Sequence, residues 1–167
     1  TAGVDIRIID SHGSFAIDSL EVCPYPVPHD SREPVQYVFS DGVRRLGLLT
    51  DVGEITPHVR EVLSGVDGLI LVCKHDAALL AASDYPLSLR RRISGRLGHL
   101  ENTVAANLLR EIDCTRLQHI VAAHLSERNN RPELAIGALA GAMGCAEGWI
   151  AVACQASQVP CTWRIPL

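Results

Sequence analysis

An apolar run that ends on a carboxylate constrains this chain more than any other stretch. Leu46-Gly47-Leu48-Leu49-Thr50-Asp51-Val52-Gly53 is flanked by arginines, stops at Asp51, and is followed by the helix start Thr56-Pro57. Such a run reads as a buried strand with its carboxylate at the C-terminal edge. A side chain at that edge reaches a cleft while its strand stays locked in the core, which suits a metal ligand or a catalytic acid. The other polar residues can be placed relative to Asp51.

Apolar segments recur on both sides of this strand. Val4–Ile9 alternates apolar and polar residues, and Phe15, Ile17, Leu20 and Val22 continue the pattern past the turn Ser11-His12-Gly13-Ser14, predicting a small antiparallel ribbon. Cys23-Pro24-Tyr25-Pro26-Val27-Pro28 carries prolines at alternate positions, as an edge strand or an extended segment does, and leads into His29-Asp30. Val35–Phe39 and Arg45–Leu49 flank Asp41-Gly42, a hairpin signal because the turn needs positive φ. Pro57 to Leu63 is a helix stopped by Gly65. Gly68–Cys73 is a short strand with apolar residues on both faces, as in a sheet covered on both sides. Short helices at Ala77–Ala82 and Leu87–Ile93, a longer one at Asn102–Ile112, a strand at Leu117–Ala123, a helix at Pro132–Met143, and strands at Trp149–Cys154 and Cys161–Ile165 complete the order. A β-rich first third followed by alternating helix and strand is an α/β or α+β layered domain.

At 167 residues the chain is one domain by length and buries enough surface to fold without disulfides. Its six cysteines form no C-x-x-C pair and lie mostly in apolar segments, as reduced thiols of a cytoplasmic protein do. No signal peptide opens it and no apolar stretch reaches membrane-span length, so a soluble protein with no membrane partner is expected. A net charge of −4 excludes a uniformly basic nucleic-acid coat, and few aromatics disfavour a stacking platform for single strands.

Three strand ends carry polar residues: His29, Asp51 and His124. Two imidazoles and a carboxylate are the donor set of zinc or another borderline divalent metal, although each alone also suits a turn or a cap. His75-Asp76 and Gly98-His99-Leu100-Glu101-Asn102 stand at helix starts. Asp76 and Asn102 suit capping, whereas His75 and His99 suit holding an anion or donating a proton. Arg90-Arg91-Arg92 with Arg96 is the one concentrated basic run, either a grip on a phosphate backbone or a solvated helix face.

Val27-Pro28-His29-Asp30, Leu49-Thr50-Asp51-Val52-Gly53, His75-Asp76, Tyr85-Pro86, Arg92-Ile93, Gly98-His99-Leu100 with Asn102, and Ala123-His124-Leu125-Ser126 with Asn129-Asn130 resemble, in order, the C-terminal half of the YycJ/WalJ group of metallo-β-lactamase-fold hydrolases. The resemblance implies an αββα sandwich, of which this chain is the C-terminal half. It implies His29, Asp51 and His124 as metal ligands with Asp51 bridging, and one or two zinc or manganese ions. It also implies His99 and His75 as catalytic groups, and Asn102, Asp76 and Arg92 as substrate-binding groups around the same cleft. The implied activity is a phosphodiesterase or 5′-to-3′ exonuclease on DNA. The group's His-x-His-x-Asp-His segment is absent, and its usual Glu, Asn and Ser are Val72, Lys74 and Glu101 here. The chain is therefore expected to be a truncated or processed half that associates with the missing N-terminal half or a second copy. The rival expectations are hydrolysis of a small ester or thioester and a non-catalytic half-fold that only binds a partner.

Overall fold

A computed structural model describes residues 6–153. Among these residues seven strands form one sheet: β1 (Phe15–Ile17), β2 (Leu20–Pro26), β3 (Val35–Ser40), β4 (Arg45–Leu49), β5 (Gly68–Val72), β6 (His119–Ala123) and β7 (Ile150–Val152). They lie in sequence order across it. β1 to β4 pair antiparallel through short turns, whereas β4 to β7 pair parallel. Parallel neighbours need long crossovers. These are α1 (Pro57–Leu63) between β4 and β5, then α2 (Ala77–Ala81), α3 (Leu87–Ile93) and α4 (Asn102–Glu111) before β6, and α5 (Pro132–Met143) before β7.

Local chemistry sets these boundaries. Gly42 takes φ +91° in the β3–β4 turn, while Asp41 Oδ1 accepts from the backbone N–H groups of Val43 and Arg44. Thr56 caps α1 by accepting from Val59 N, with Pro57 at the first helical position. Gly144 ends α5 in the left-handed region at φ +64°.

Crossovers between parallel strands are right-handed, and a strand order that never reverses therefore puts them all on one face of the sheet. On that face Val38, Leu69, Ile120 and Ile150 lie in one row and Leu49, Leu71 and Ala122 in the next, all buried against Val59, Leu63, Leu108 and Leu139. Gly47 completes the first row; a Cβ there would sit 2.7 Å from Leu63 Cδ2, so α1 rests directly on the strand. The opposite face carries Tyr37, Leu48, Ile70 and Val121 in one row, with Phe39 and Leu46 in the next. These apolar residues are only half-buried.

Three sequence expectations change. Residues 6–9 form no strand: Ile6 and Ile8 are exposed and no neighbouring strand pairs with them. β2 is not an edge throughout, because β1 pairs with its first residues; the prolines occupy the end beyond β1, where the edge is open. β5 is fully covered on one face only, with Ile70 half-buried on the other. The expected strand at Cys161–Ile165 lies outside the described residues, and the one expected at Trp149–Cys154 is seen as Ile150–Val152 after a single 3-10 turn.

Candidate metal centre

β4 delivers Asp51, and the residues before it are clamped. Tyr25 Oη donates to Leu48 O at 2.7 Å, and Gln36 Oε1 accepts from both Thr50 N and Thr50 Oγ1 at 3.1 Å. Burial pushes the Tyr25 phenol up, so it remains a donor at any ordinary pH. Beyond the strand, Gly53 N donates to Pro28 O, which fixes the loop carrying Asp51 against the one carrying His29.

His99 arrives on the turn after α3. Its backbone N–H donates to Ile93 O, and Gly98 N donates to Gly95 O. This turn packs so closely that Gly53 and Gly98 have no room for a side chain: a Cβ on Gly53 would meet Arg96 O and Gly98 N, and one on Gly98 would meet the carbonyls of Arg92 and Ile93. His29 Nδ1 lies 3.0 Å from Gly98 O. A carbonyl only accepts, so this bond places the ring proton on Nδ1 and leaves Nε2 as the coordinating atom. His124 follows β6 directly, at φ +61°, uncommon for a residue with a side chain.

The loops converge on one carboxylate oxygen. His124 Nε2 is 3.1 Å, His99 Nδ1 3.5 Å and His29 Nε2 4.0 Å from Asp51 Oδ1. One ligand atom each from His29, Asp51 and His99 lie within 4.8 Å of one another. The His99 ring centroid is 5.0 Å from that of His29 and 5.2 Å from that of His124. Burial first, and then the charge of Lys74, pushes His99 down to about 4; the same two causes lower His124, while Asp51 opposes both. The neutral imidazole is the form in which His99 and His124 would bind a divalent cation. His99 Nδ1 is buried without a hydrogen-bond partner, as a nitrogen meant for an ion would be. The donor set fits a divalent metal.

The remaining residues expected at the cleft are engaged in other contacts or, like His75, line a different cavity. Asn102 is 3% exposed and forms a reciprocal amide pair with Asn130, whose Nδ2 also donates to Cys73 O. Its side chain ties α4 and the approach to α5 to the end of β5, so it has no substrate-facing atoms left. Asp76 caps α2 by accepting from Leu79 N. Arg92 binds Asp30 through Nε at 2.8 Å and holds that carboxyl below the usual range. Arg96 pairs with Glu54. Thus two of the four arginines in the basic run are engaged by carboxylates, and they hold α3, which buries no residue of its own, to the rim of the cluster. His75 is buried and faces away from the four-residue cluster, into a cavity it shares with Glu101. Sequence reasoning missed Tyr25, Gln36 and Lys74 as supports. A tyrosine inside a proline strand and a lysine after a buried one were the only signals.

A mixed sheet with helices on one face is shared with solved metallo-β-lactamase-fold proteins. YhfI from Bacillus subtilis superposes with a TM-score of 0.65 at 12% identity, covering 87% of this chain and 51% of that one. Zinc-bound PqqB from Methylobacterium extorquens gives 0.57 at 20%, covering 87% and 48%. The beta-lactamase superfamily domain matches residues 1–130, and the chain belongs to that family. Among curated relatives, the exodeoxyribonuclease YycJ of Bacillus anthracis is 36% identical over 132 residues, 78% of this chain. The chain spans about half the length of that relative.

Proposed function

We propose that residues 1–167 are one unit, the C-terminal part of an αββα domain, and that the complete protein is a metal-dependent phosphodiesterase acting on DNA as a 5′-to-3′ exonuclease. The observation that carries this reading is the convergence of His29, His99 and His124 on Asp51 Oδ1, in a chain 36% identical to an exodeoxyribonuclease. His29, Asp51 and His124 would hold one or two zinc or manganese ions. A divalent ion there supplies Lewis acidity and activates water.

The chain's own residues do the rest. Asp51 sets the negative charge at the centre of the cluster. The Nδ1 bond to Gly98 O fixes the tautomer of His29. His99, neutral near pH 7, turns Nδ1 to Asp51, carries its proton on Nε2 and donates from there to the reacting phosphate. Lys74, close enough to depress both His99 and His124, offsets charge developing on the phosphate oxygens. The half-buried face bearing Tyr37, Phe39, Leu48 and Ile70 would receive the second sheet, supplied by the N-terminal half of a longer protein. Free thiols at Cys23, Cys73, Cys114 and Cys145 suit the cytoplasm, and no described helix is long and apolar enough to cross a membrane.

Elemental analysis at neutral pH tests the reading, with Asp51→Ala and His124→Ala as controls. Near-stoichiometric zinc or manganese in the parent, lost in both variants, is expected, together with 5′-to-3′ degradation of duplex DNA once the N-terminal half is supplied. Metal-free protein unchanged by either substitution would leave a binding module; activity on small esters alone would leave a different hydrolase. In size-exclusion chromatography the isolated chain should bind the N-terminal half, and a self-contained dimer would replace that partner with a second copy.

A further inference from the structure

Behind the chain segment that carries Lys74 toward the metal cluster lies a separate cavity of about 280 Å³. Lys74 acts electrostatically on His99 and His124, whereas the next residue, His75, lines this cavity with Arg90, Arg91, Ser94 and Glu101. None of the four cluster residues contributes to its walls.

Two buried polar atoms here have no partner. His75 is 3% exposed, and its Nδ1 is hydrogen-bonded to nothing; Arg90 Nε is likewise buried and unpaired. Arg90 is nonetheless held in place, because Nη1 donates to Ala81 O. Buried polar groups are normally satisfied, and both orphans belong to residues in the wall of this one cavity. Arg90 and Arg91 call for an anionic oxygen. Glu101 only accepts, and therefore calls for a ligand N–H or O–H. Leu80 and Leu87 line the same space and call for an apolar body. The volume suits a small molecule and is far too small for a duplex.

We propose that this cavity is a second binding site, distinct from the metal centre, for a nucleoside monophosphate. Its phosphate meets Arg90 and Arg91, its base or sugar donates to Glu101, and its ring system packs on Leu80 and Leu87. Only the choice of a nucleotide rests on the nuclease reading above. Glu101 and His75 are bridged backbone to backbone, and Asn102 N donates to His75 O. An occupant therefore presses on the short segment between His99 and Asn102, which gives a released nucleotide a route to the metal centre.

Thymidine 5′-monophosphate is titrated into the purified chain, following Arg Nε–Hε and His ring signals by NMR. Saturable shifts at Arg90 and His75 are expected, with affinity falling about tenfold in Arg91→Gln, as for loss of one charge-assisted contact. Arg91 is exposed, so this variant tests binding without endangering the fold. Thymidine should not saturate the site, inorganic phosphate should bind more weakly than the nucleotide, and Asp51→Ala should abolish metal uptake while leaving nucleotide binding intact. Absence of saturable shifts, equal affinity in Arg91→Gln, phosphate binding as tightly as the nucleotide, or loss of binding in Asp51→Ala would each overturn the proposal. The nuclease reading would stand in every one of those cases, since it is judged on the metal and the hydrolysis.

Discussion

Replacing Gly98 with alanine tests the packing that sets His99 against Asp51. The new methyl would collide with the carbonyls of Ile93 and Arg92, and both belong to the last turn of α3, which cannot rotate aside as a flexible side chain would. Restoring ordinary contact requires the turn at 97–99 to move by about 1 Å, an overpacking cost of roughly 1–3 kcal/mol. The same movement stretches the 3.0 Å bond from His29 Nδ1 to Gly98 O, a further cost of about 1 kcal/mol. The expected loss is about 2–4 kcal/mol, which lowers Tm by roughly 5–15 °C for a chain of this size. Urea unfolding followed by circular dichroism measures the stability, and zinc titration of the folded variant should show weaker binding, because His29 and His99 both shift. A control keeps the test specific. A Cβ at Gly141, inside α5, meets nothing within 4 Å, so Gly141→Ala should stabilise by about 0.5–1 kcal/mol through helix propensity. If Gly98→Ala unfolds within 0.5 kcal/mol of the parent and binds zinc as before, the turn is not packed as described and the reasoning fails.

Lys74→Met should raise the pKa of both His99 and His124, and Asp51→Asn should lower them; two-dimensional NMR of the imidazole rings reads both, and unchanged titrations would separate Lys74 from the cluster. Because His99 is depressed in the folded chain, the unfolded chain binds the proton first, so its contribution to stability is complete above about 6.5 and is lost as pH falls toward about 4. Denaturation midpoints across that window should decline, and less steeply in His99→Gln. Asp67 is 1% exposed and accepts from Arg45 N, Arg116 and Arg44; burial raises its pKa, but these donors outweigh it and hold the carboxyl low. Asp67→Ala should therefore cost about 3 kcal/mol by leaving the arginines and a buried N–H without their acceptor, measurable by urea unfolding at pH 7.

Much of the fold was legible because local signals agreed with one another. The strand at Arg45–Leu49, the turn at Asp41-Gly42, and the helices at Leu87–Ile93 and Pro132–Met143 are seen where composition and punctuation put them. Ile6 to Ile9 misled because alternation marks a strand only if a neighbour supplies the ladder, and no local pattern reveals that neighbour. At the site, the strand-end positions of His29, Asp51 and His124 could be read directly, since a polar residue closing an apolar run is visible in sequence. The inward turn of Asn102 could not be. Its partner Asn130 is distant in the chain, and only the folded sheet brings their amides together. The divergence of Lys74 and His75 to opposite sides was hidden for a similar reason: adjacent residues alternate across an extended backbone, but which side holds the ions is a tertiary fact.

The unbroken order of the strands also bears on how the chain is built. Among the described residues every ladder joins two strands that are consecutive in sequence, so none of these strands has to wait for a segment synthesised much later. A nascent chain can add each of these strands to the growing sheet as it emerges from the ribosome, with no earlier pairing undone.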